Sequence, residues 1–137
     1  MGRGFRLAVG LAVLPVFTAQ LACAEELSGY SGAQLYQRFC ASCHGARAEG
    51  NGPVAAFFKV APPDLTQLAR RSGGEFPAER VRKSIDGRSN LPPHGTRTMP
   101  VWGLEFTAAA GNTEQAREHT ATLIDRLVDY VRSIQLP

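Results

Sequence analysis

Apolar residues recur along this chain at intervals of three and four, the spacing of helices that bury one face, in three separate stretches. The first stretch follows Ser31, a suitable N-cap, and places Gly32, Tyr36 and Cys40 on one face. A glycine within a helix costs about 1 kcal/mol relative to alanine. Its place on the buried face is explained if another helix crosses closely there.

The second stretch covers residues 76–87 and predicts a helix with clear signals at both ends. Pro77 suits the first turn, where its missing N–H would have no intrahelical acceptor, and Gly87 suits the C-terminal stop. Val81 and Ile85 lie four residues apart and form the apolar stripe of this helix.

The third stretch is the longest and predicts a closing helix that begins near Asn112 or Thr113. Its apolar face consists of Ala116, Thr120, Leu123, Leu127, Tyr130, Val131 and Ile134. No alternating strand pattern, internal repeat or low-complexity segment accompanies the three helices. The hydrophobic pattern therefore predicts an all-α fold.

Long irregular segments separate the predicted helices. Residues 45–53 and 88–103 are rich in glycine, proline and small polar residues, which favour turns and ordered loops. Between them, residues 54–60 predict a short helix ended by two prolines, and Asp64 predicts a capped turn over residues 65–68. We therefore expect a small helical domain with long loops.

Residues 1–24 have the pattern of an export signal rather than of a folded element. Two arginines form a basic start, residues 7–17 form an apolar run, and Ala22-Cys23-Ala24 supplies the small residues of a cleavage site. The apolar run is shorter than the roughly 20 residues of an ordinary membrane span. We expect cleavage after Ala24, which leaves residues 25–137 as one periplasmic domain.

Two other fates of this segment stay open. It can remain uncleaved as a membrane anchor, or Cys23 can carry the lipid of a lipoprotein. Gln20 disfavours lipidation, since a lipobox normally has an aliphatic residue at that position. Membrane association is therefore expected only if the segment is retained or Cys23 is lipidated.

Removal of the signal also changes the charge of the protein. The full chain has 15 Lys and Arg residues against 12 Asp and Glu residues, a formal charge of +3. Without Arg3 and Arg6 the excess falls to about +1. Such a balance does not indicate a basic nucleic-acid-binding protein, and no nucleic acid is expected as a partner.

The run Cys40-Ala41-Ser42-Cys43-His44 indicates the attachment site of a c-type haem. Two thiols a short turn apart can each add across one vinyl group of the same haem, which brings the following imidazole beneath the iron as proximal ligand. A Cys-x-x-Cys pair alone also occurs in redox-active disulfides and in zinc sites. Those two alternatives are disfavoured because no strand precedes the pair and no second pair follows it.

Met99 is the main candidate for the second axial ligand. A thioether sulfur opposite an imidazole is typical of haem proteins that transfer electrons. Met99 lies in an irregular loop, directly before a proline and off any helical stripe, so core packing explains it less well. His94 is the alternative ligand. If it does not bind the iron, it is expected to be an exposed histidine of the loop. His119 belongs to the last predicted helix and is expected at its surface or boundary.

Taken together, these residues resemble the class I c-type cytochromes, in particular the bacterial monohaem domains. The resemblance spans nearly all of the chain from residue 29 to residue 135. Besides the helix and haem motif, it rests on Gly50-Asn51-Gly52-Pro53, Ala61–Thr66, Ile85–Arg88, Met99–Gly103 and Leu127–Tyr130. It implies the cytochrome c fold, a small all-α domain with long loops wrapped around one covalent haem c.

The resemblance also implies a helix crossing. Gly32 and Tyr36 should meet Leu127 and Tyr130 where the first and last helices pass each other. One departure from the family pattern is the segment 104–113, which is longer than the minimal connection before the last helix. A contact with a partner protein is one explanation of this extra length.

Three residues gain roles near the haem from the resemblance. The carbonyl of Pro53 should accept the Nδ1 proton of His44, a bond that fixes the tautomer and the ring plane of the ligand. Trp102 and Arg88 should lie near the haem or its propionates. Packing for Trp102 and simple solvation for Arg88 are the competing interpretations.

The predicted function is that of an exported electron carrier rather than an enzyme. An iron held by both His44 and Met99 leaves no position for a substrate, and redox partner proteins are expected as electron donor and acceptor. One alternative is a haem-bearing subunit of a larger dehydrogenase, reductase or oxidase complex. Another is a haem-based sensor with a labile Met99. Five bases between residues 80 and 97 either steer an acidic partner or form a solvated face.

Overall fold

The computed structural model describes residues 27–88 and 99–137. Its described part contains no strand, which confirms the all-α prediction. The helices are α1 (Gly32–Phe39), α2 (Ala41–His44), α3 (Ala78–Asp86), α4 (Trp102–Ala109) and α5 (Glu114–Ser133). Three short 3-10 turns lie between α2 and α3, at Ala55–Phe57, Leu65–Gln67 and Arg70–Ser72.

Some predictions fall outside the described residues. These are the export signal over residues 1–24 with Cys23, the alternative ligand His94, and most of the loop over residues 88–103. Among the described residues, none of the helices combines the length and the hydropathy that a membrane span requires.

Helix α1 begins where its sequence predicts it. The Ser31 hydroxyl accepts a hydrogen bond from the Gln34 N–H at 3.3 Å, and the Gln34 side chain accepts one from the Ser31 N–H at 2.8 Å. This reciprocal pair is a capping box, which satisfies two N–H groups that the first turn leaves without partners. The start of α1 is therefore set locally.

Helices α1 and α5 cross at Gly32. A Cβ atom at this position would overlap the Arg126 carbonyl oxygen and lie 2.9 Å from the Tyr130 Cβ, so only glycine allows the approach. One turn further along α1, the Tyr36 ring packs 5.1 Å from the Tyr130 ring, and the Leu127 side chain is buried nearby. The expected crossing of the first and last helices is confirmed.

Helix α3 also agrees with its prediction. It begins after Pro77 and ends at Gly87, which has the left-handed conformation (φ +73°) that favours glycine at a helix C-terminus. Ile85 is buried, and the Arg82 guanidinium forms an ion pair with the Asp125 carboxylate of α5. Helix α3 packs against both α4 and α5.

The sequence predicted a loop up to residue 103 and no helix in the extra segment 104–113, and this prediction is wrong because helix α4 forms there. The chain is helical from Trp102 to Ala109, and Phe106 and Thr107 are buried. The Thr107 hydroxyl lies 3.0 Å from the Thr120 hydroxyl of α5, within hydrogen-bond distance. The sequence did not signal this helix because its exposed side is also apolar, as at Leu104, so no one-sided stripe appears.

The connection between α2 and α3 is mostly irregular. The helix expected over residues 54–60 forms only as the single 3-10 turn Ala55–Phe57. The turn expected after Asp64 is present, because its Oδ1 accepts bonds from the Thr66 N–H at 2.9 Å and the Thr66 hydroxyl at 2.6 Å. Its Oδ2 accepts a third bond from the Gln67 amide at 2.6 Å.

The close crossing at Gly32 makes a first prediction. Gly32→Ala should destabilise the protein by about 1–3 kcal/mol, because the new methyl group meets backbone that cannot move without separating α1 from α5. Gly29→Ala is the matched control, since nothing lies within 4 Å of a Cβ there. Equilibrium unfolding in guanidinium chloride measures both, and equal stability of the two variants would contradict the crossing.

The Asp64 cap makes a second prediction. Hydrogen bonds from Thr66 lower the pKa of the Asp64 carboxyl, so its contribution to stability is present above the ordinary carboxyl pKa near 4 and is lost as the pH falls through the lowered value. Asp64→Asn should cost about 1 kcal/mol at pH 7, since the NH2 group that replaces Oδ2 cannot accept the bond from Gln67 and the negative charge is lost.

The test of Asp64 compares denaturant unfolding at pH 7 and at about pH 2.5, where the difference between Asp64→Asn and the unchanged protein should shrink. The control is Asp129→Asn, which removes an exposed ion pair with Arg132 and should change stability by less than about 0.5 kcal/mol. A difference at Asp64 that does not depend on pH would contradict the assignment.

Candidate haem-binding site

The short helix α2 carries the cysteines and the histidine of the motif. Cys40 ends α1 and precedes α2, and the N–H groups of Cys43 and His44 donate to the Cys40 carbonyl at 3.2 and 2.9 Å. Gly45 then ends the turn with φ +84°, a left-handed value that favours glycine. One tight turn therefore holds both thiols and the imidazole.

Tyr36 links this turn to the helix crossing. Its hydroxyl donates a 2.7 Å hydrogen bond to the carbonyl of Gly45, the residue directly after His44. The side chain is only 1% exposed, and this burial, with a smaller effect from Cys40, raises the pKa of Tyr36 above its usual value. The hydroxyl therefore remains a protonated donor, and α1 fixes the backbone on which His44 sits.

The His44 ring is buried and held by a carbonyl. Its Nδ1 lies 3.3 Å from the carbonyl oxygen of Pro63, which can only accept, so Nδ1 carries the proton and Nε2 keeps a lone pair. Burial lowers the pKa of His44, while the bond to Pro63 opposes this effect. The neutral imidazole is the form that binds a metal.

The acceptor is therefore Pro63 and not Pro53, and the expectation for Pro53 is wrong. The backbone on either side of Pro53 is bound back to α2, since the Gly52 N–H donates to the Cys43 carbonyl and the Val54 N–H to the Ser42 carbonyl, both at 3.1 Å. The chain returns to the His44 ring only ten residues later.

A cavity of about 550 Å³ lies beside the motif. Five of the predicted site residues line it together: Cys40, Cys43, His44, Met99 and Trp102. The rest of its described lining is mainly aliphatic and aromatic, with contributions from α1, α3, α5 and the segment 58–68. The volume and the apolar lining are typical of a cofactor site.

Cys40 and Cys43 stand beside the cavity as free thiols. In the described part of the chain, no group of three or more His, Cys, Asp and Glu side chains is placed to hold a metal ion. Burial, with a smaller effect from Cys43, raises the pKa of Cys40 to about 12, so its thiol is protonated. Two thiols and a neutral imidazole facing one apolar cavity fit the attachment of a haem.

Trp102 and Arg88 have different surroundings. Trp102 lines the cavity and stacks on Phe106 with ring centroids 5.4 Å apart. Arg88 is not among the lining residues, and its Nε donates to the Asp86 carboxylate at 2.7 Å. The Asp86 carboxylate thus engages the Arg88 guanidinium, and the place of Arg88 near the haem or its propionates stays a prediction.

Sequence reasoning missed several lining residues. Phe58 and Val60 follow the 3-10 turn, and no spacing in that irregular segment distinguished them. Arg80 and Ser84 also line the cavity, and their signal was present: they lie four residues apart on α3, beside Val81 and Ile85. His119 is half-buried in α5, as expected, and is not part of the lining.

Comparison with known proteins identifies the family. No curated protein and no solved structure matches this chain. The family model described as Cytochrome c matches residues 30–135, well over half of the chain. Members of that family bind haem c covalently, typically one per domain, and generally carry electrons. The chain, with its thiols and imidazole turned toward one apolar cavity, belongs to the cytochrome c family.

Proposed function

We propose that this protein is an exported electron carrier in which His44 and Met99 bind the haem iron from opposite sides. The observation that carries the proposal is that both side chains line the same cavity as Cys40 and Cys43. The thiols would attach the haem through two thioether bonds, and the haem would supply a one-electron couple.

His44 and Met99 have different roles in this arrangement. The Pro63 carbonyl holds the His44 ring in the tautomer that leaves Nε2 available, as a ligand requires. The half-buried thioether of Met99 is a soft donor that favours Fe(II), so it would raise the reduction potential. An iron held by both side chains would have no position left for a substrate, so the protein would act as a carrier rather than an enzyme.

The site of action follows from the sequence and the family. Cytochrome c domains typically function in the periplasm or outside the cell. Residues 1–24 have the basic start, apolar run and cleavage pattern of an export signal. We therefore propose that the mature domain works in the periplasm, where other redox proteins donate and accept its electrons.

An apolar patch at the mouth of the cavity supports docking by such partners. Phe58 and Val60 line the cavity. Val60 is nevertheless 72% exposed, and Phe57, which directly precedes Phe58, is 87% exposed. Large apolar side chains this exposed often mark sites of protein contact. We call Phe57, Phe58 and Val60 the mouth patch, and propose that electrons pass through the haem edge beside it.

The basic residues in and directly after α3 give less support to charge steering. Arg82 pairs with Asp125, Lys83 lies 3.5 Å from the Glu79 carboxylate, and Arg88 binds Asp86. These pairs offset much of the positive charge of the segment, which favours the interpretation of a solvated helix face.

Ligation by Met99 makes a third prediction. Met99→Ala should abolish the near-infrared band between methionine sulfur and Fe(III), allow carbon monoxide to bind the ferrous protein, and lower the reduction potential by about 0.1 V or more, given the roughly 0.8 V range that axial ligands span. His94→Ala is the control and should change none of these. Absorption spectroscopy during a redox titration measures all three. If the unchanged protein lacks the band, and carbon monoxide binds His94→Ala but not Met99→Ala, the ligand role would belong to that histidine.

The mouth patch makes a fourth prediction. Phe57→Ser should slow electron self-exchange between ferric and ferrous copies about fivefold, because it removes apolar contact area at the haem edge while leaving the cavity lining unchanged. Leu104→Ser is the matched control, since Leu104 is 51% exposed on α4 and does not line the cavity. NMR line broadening of mixed oxidation states gives the rates, and equal slowing by both variants would argue against the patch.

A further inference from the structure

One charged side chain lines the cavity in the described part of the chain, that of Arg80. The other described lining residues are apolar, apart from the motif residues and the hydroxyls of Tyr36, Ser42 and Ser84. Arg80 is exposed, so its guanidinium lies at the solvent edge of the cavity, where it can form charge-assisted hydrogen bonds with an anionic group bound there. The electron-carrier role does not by itself explain why the charged side chain of Arg80 lines this cavity.

The hydrogen bonds of Arg80 leave room for such a partner. Its guanidinium donates to the Ser72 hydroxyl at 2.6 Å, a neutral acceptor that uses one of its five N–H groups. Within residues 27–88 and 99–137, the ion pairs of α3 involve its neighbours Arg82, Lys83 and Asp86 but not Arg80. Arg82 and Lys83 have carboxylate partners from the protein, whereas Arg80 faces the cavity without one.

The geometry of α3 determines which base faces the cavity. Arg80, Val81, Ser84 and Ile85 all line it, and their spacing of one, four and five residues defines one face of a helix. The Ser84 hydroxyl donates to the Arg80 carbonyl at 2.9 Å within the same turn. Arg82 and Lys83 lie off this face and do not line the cavity.

We propose that the Arg80 guanidinium binds a propionate carboxylate of the haem. Haem carries two propionates, and thioether bonds to Cys40 and Cys43 would fix where they lie in the cavity. The planar fork of arginine matches a carboxylate with two parallel N–H···O bonds. The bound cation offsets the propionate charge near the iron and so disfavours Fe(III), which raises the reduction potential. The proposal rests on the covalent haem of the family and is independent of ligation by Met99.

A redox titration of the haem-loaded protein tests this assignment. Arg80→Gln should shift the equilibrium toward the ferric form by about threefold to tenfold, a tenfold change being about 59 mV for one electron. Arg82→Gln and Lys83→Gln remove the same charge from the same helix and should shift it much less. Arg80→Lys should restore part of the potential, since it keeps the charge but loses the two-pronged contact.

The low-frequency resonance Raman spectrum supplies a second measurement, because the propionate bending modes report hydrogen bonds to the carboxylates. Those modes should move in Arg80→Gln and stay unchanged in the Arg82 and Lys83 variants. A shift in potential no larger than that of Arg82→Gln, or unmoved propionate modes, would overturn the proposal. The methionine–iron band should persist in every α3 variant. If the unchanged protein lacks this band, ligation of the iron by Met99 is contradicted, whereas the role of Arg80 is not.

Discussion

The close crossing of α1 and α5 is the contact on which the rest of the molecule depends. It requires a residue without a side chain at Gly32, because the Arg126 carbonyl occupies the space of any Cβ. The approach brings Tyr36 against Tyr130 and lets the Tyr36 hydroxyl reach the Gly45 carbonyl. A packing contact between two distant helices thereby sets the position of the turn that carries the thiols and the imidazole.

The second support of the site comes from the loop between α2 and α3. Pro63 presents its carbonyl to the His44 ring, and Asp64 directly afterwards caps the turn that follows. The Leu136 N–H then donates to the Thr66 carbonyl at 2.8 Å, which ties this turn to the end of the chain. His44 is thus held by its own helix on one side and by a separately anchored loop on the other, as a rigid ligand requires.

Local signals predicted the elements that depend on local physics. The capping box at Ser31, the proline and glycine that bound α3, and the Thr113 cap of α5 each act within one turn, and each lies where the spacing indicates. Helix α4 lacks such a signal, since it is stabilised by packing of Phe106 and Thr107 against neighbouring helices rather than by a one-sided stripe. Its prediction required knowledge of those neighbours.

The sequence by itself determined the helical class, three of the helices and the turn from Cys40 to His44, because spacing along a helix follows from backbone geometry alone. Tertiary structure decided which carbonyl meets His44, that Arg88 turns to Asp86, and that Arg80 faces the cavity. These outcomes depend on distances between segments that are far apart along the chain. No local pattern encodes such distances, and only the packed helices and the loop between α2 and α3 set them.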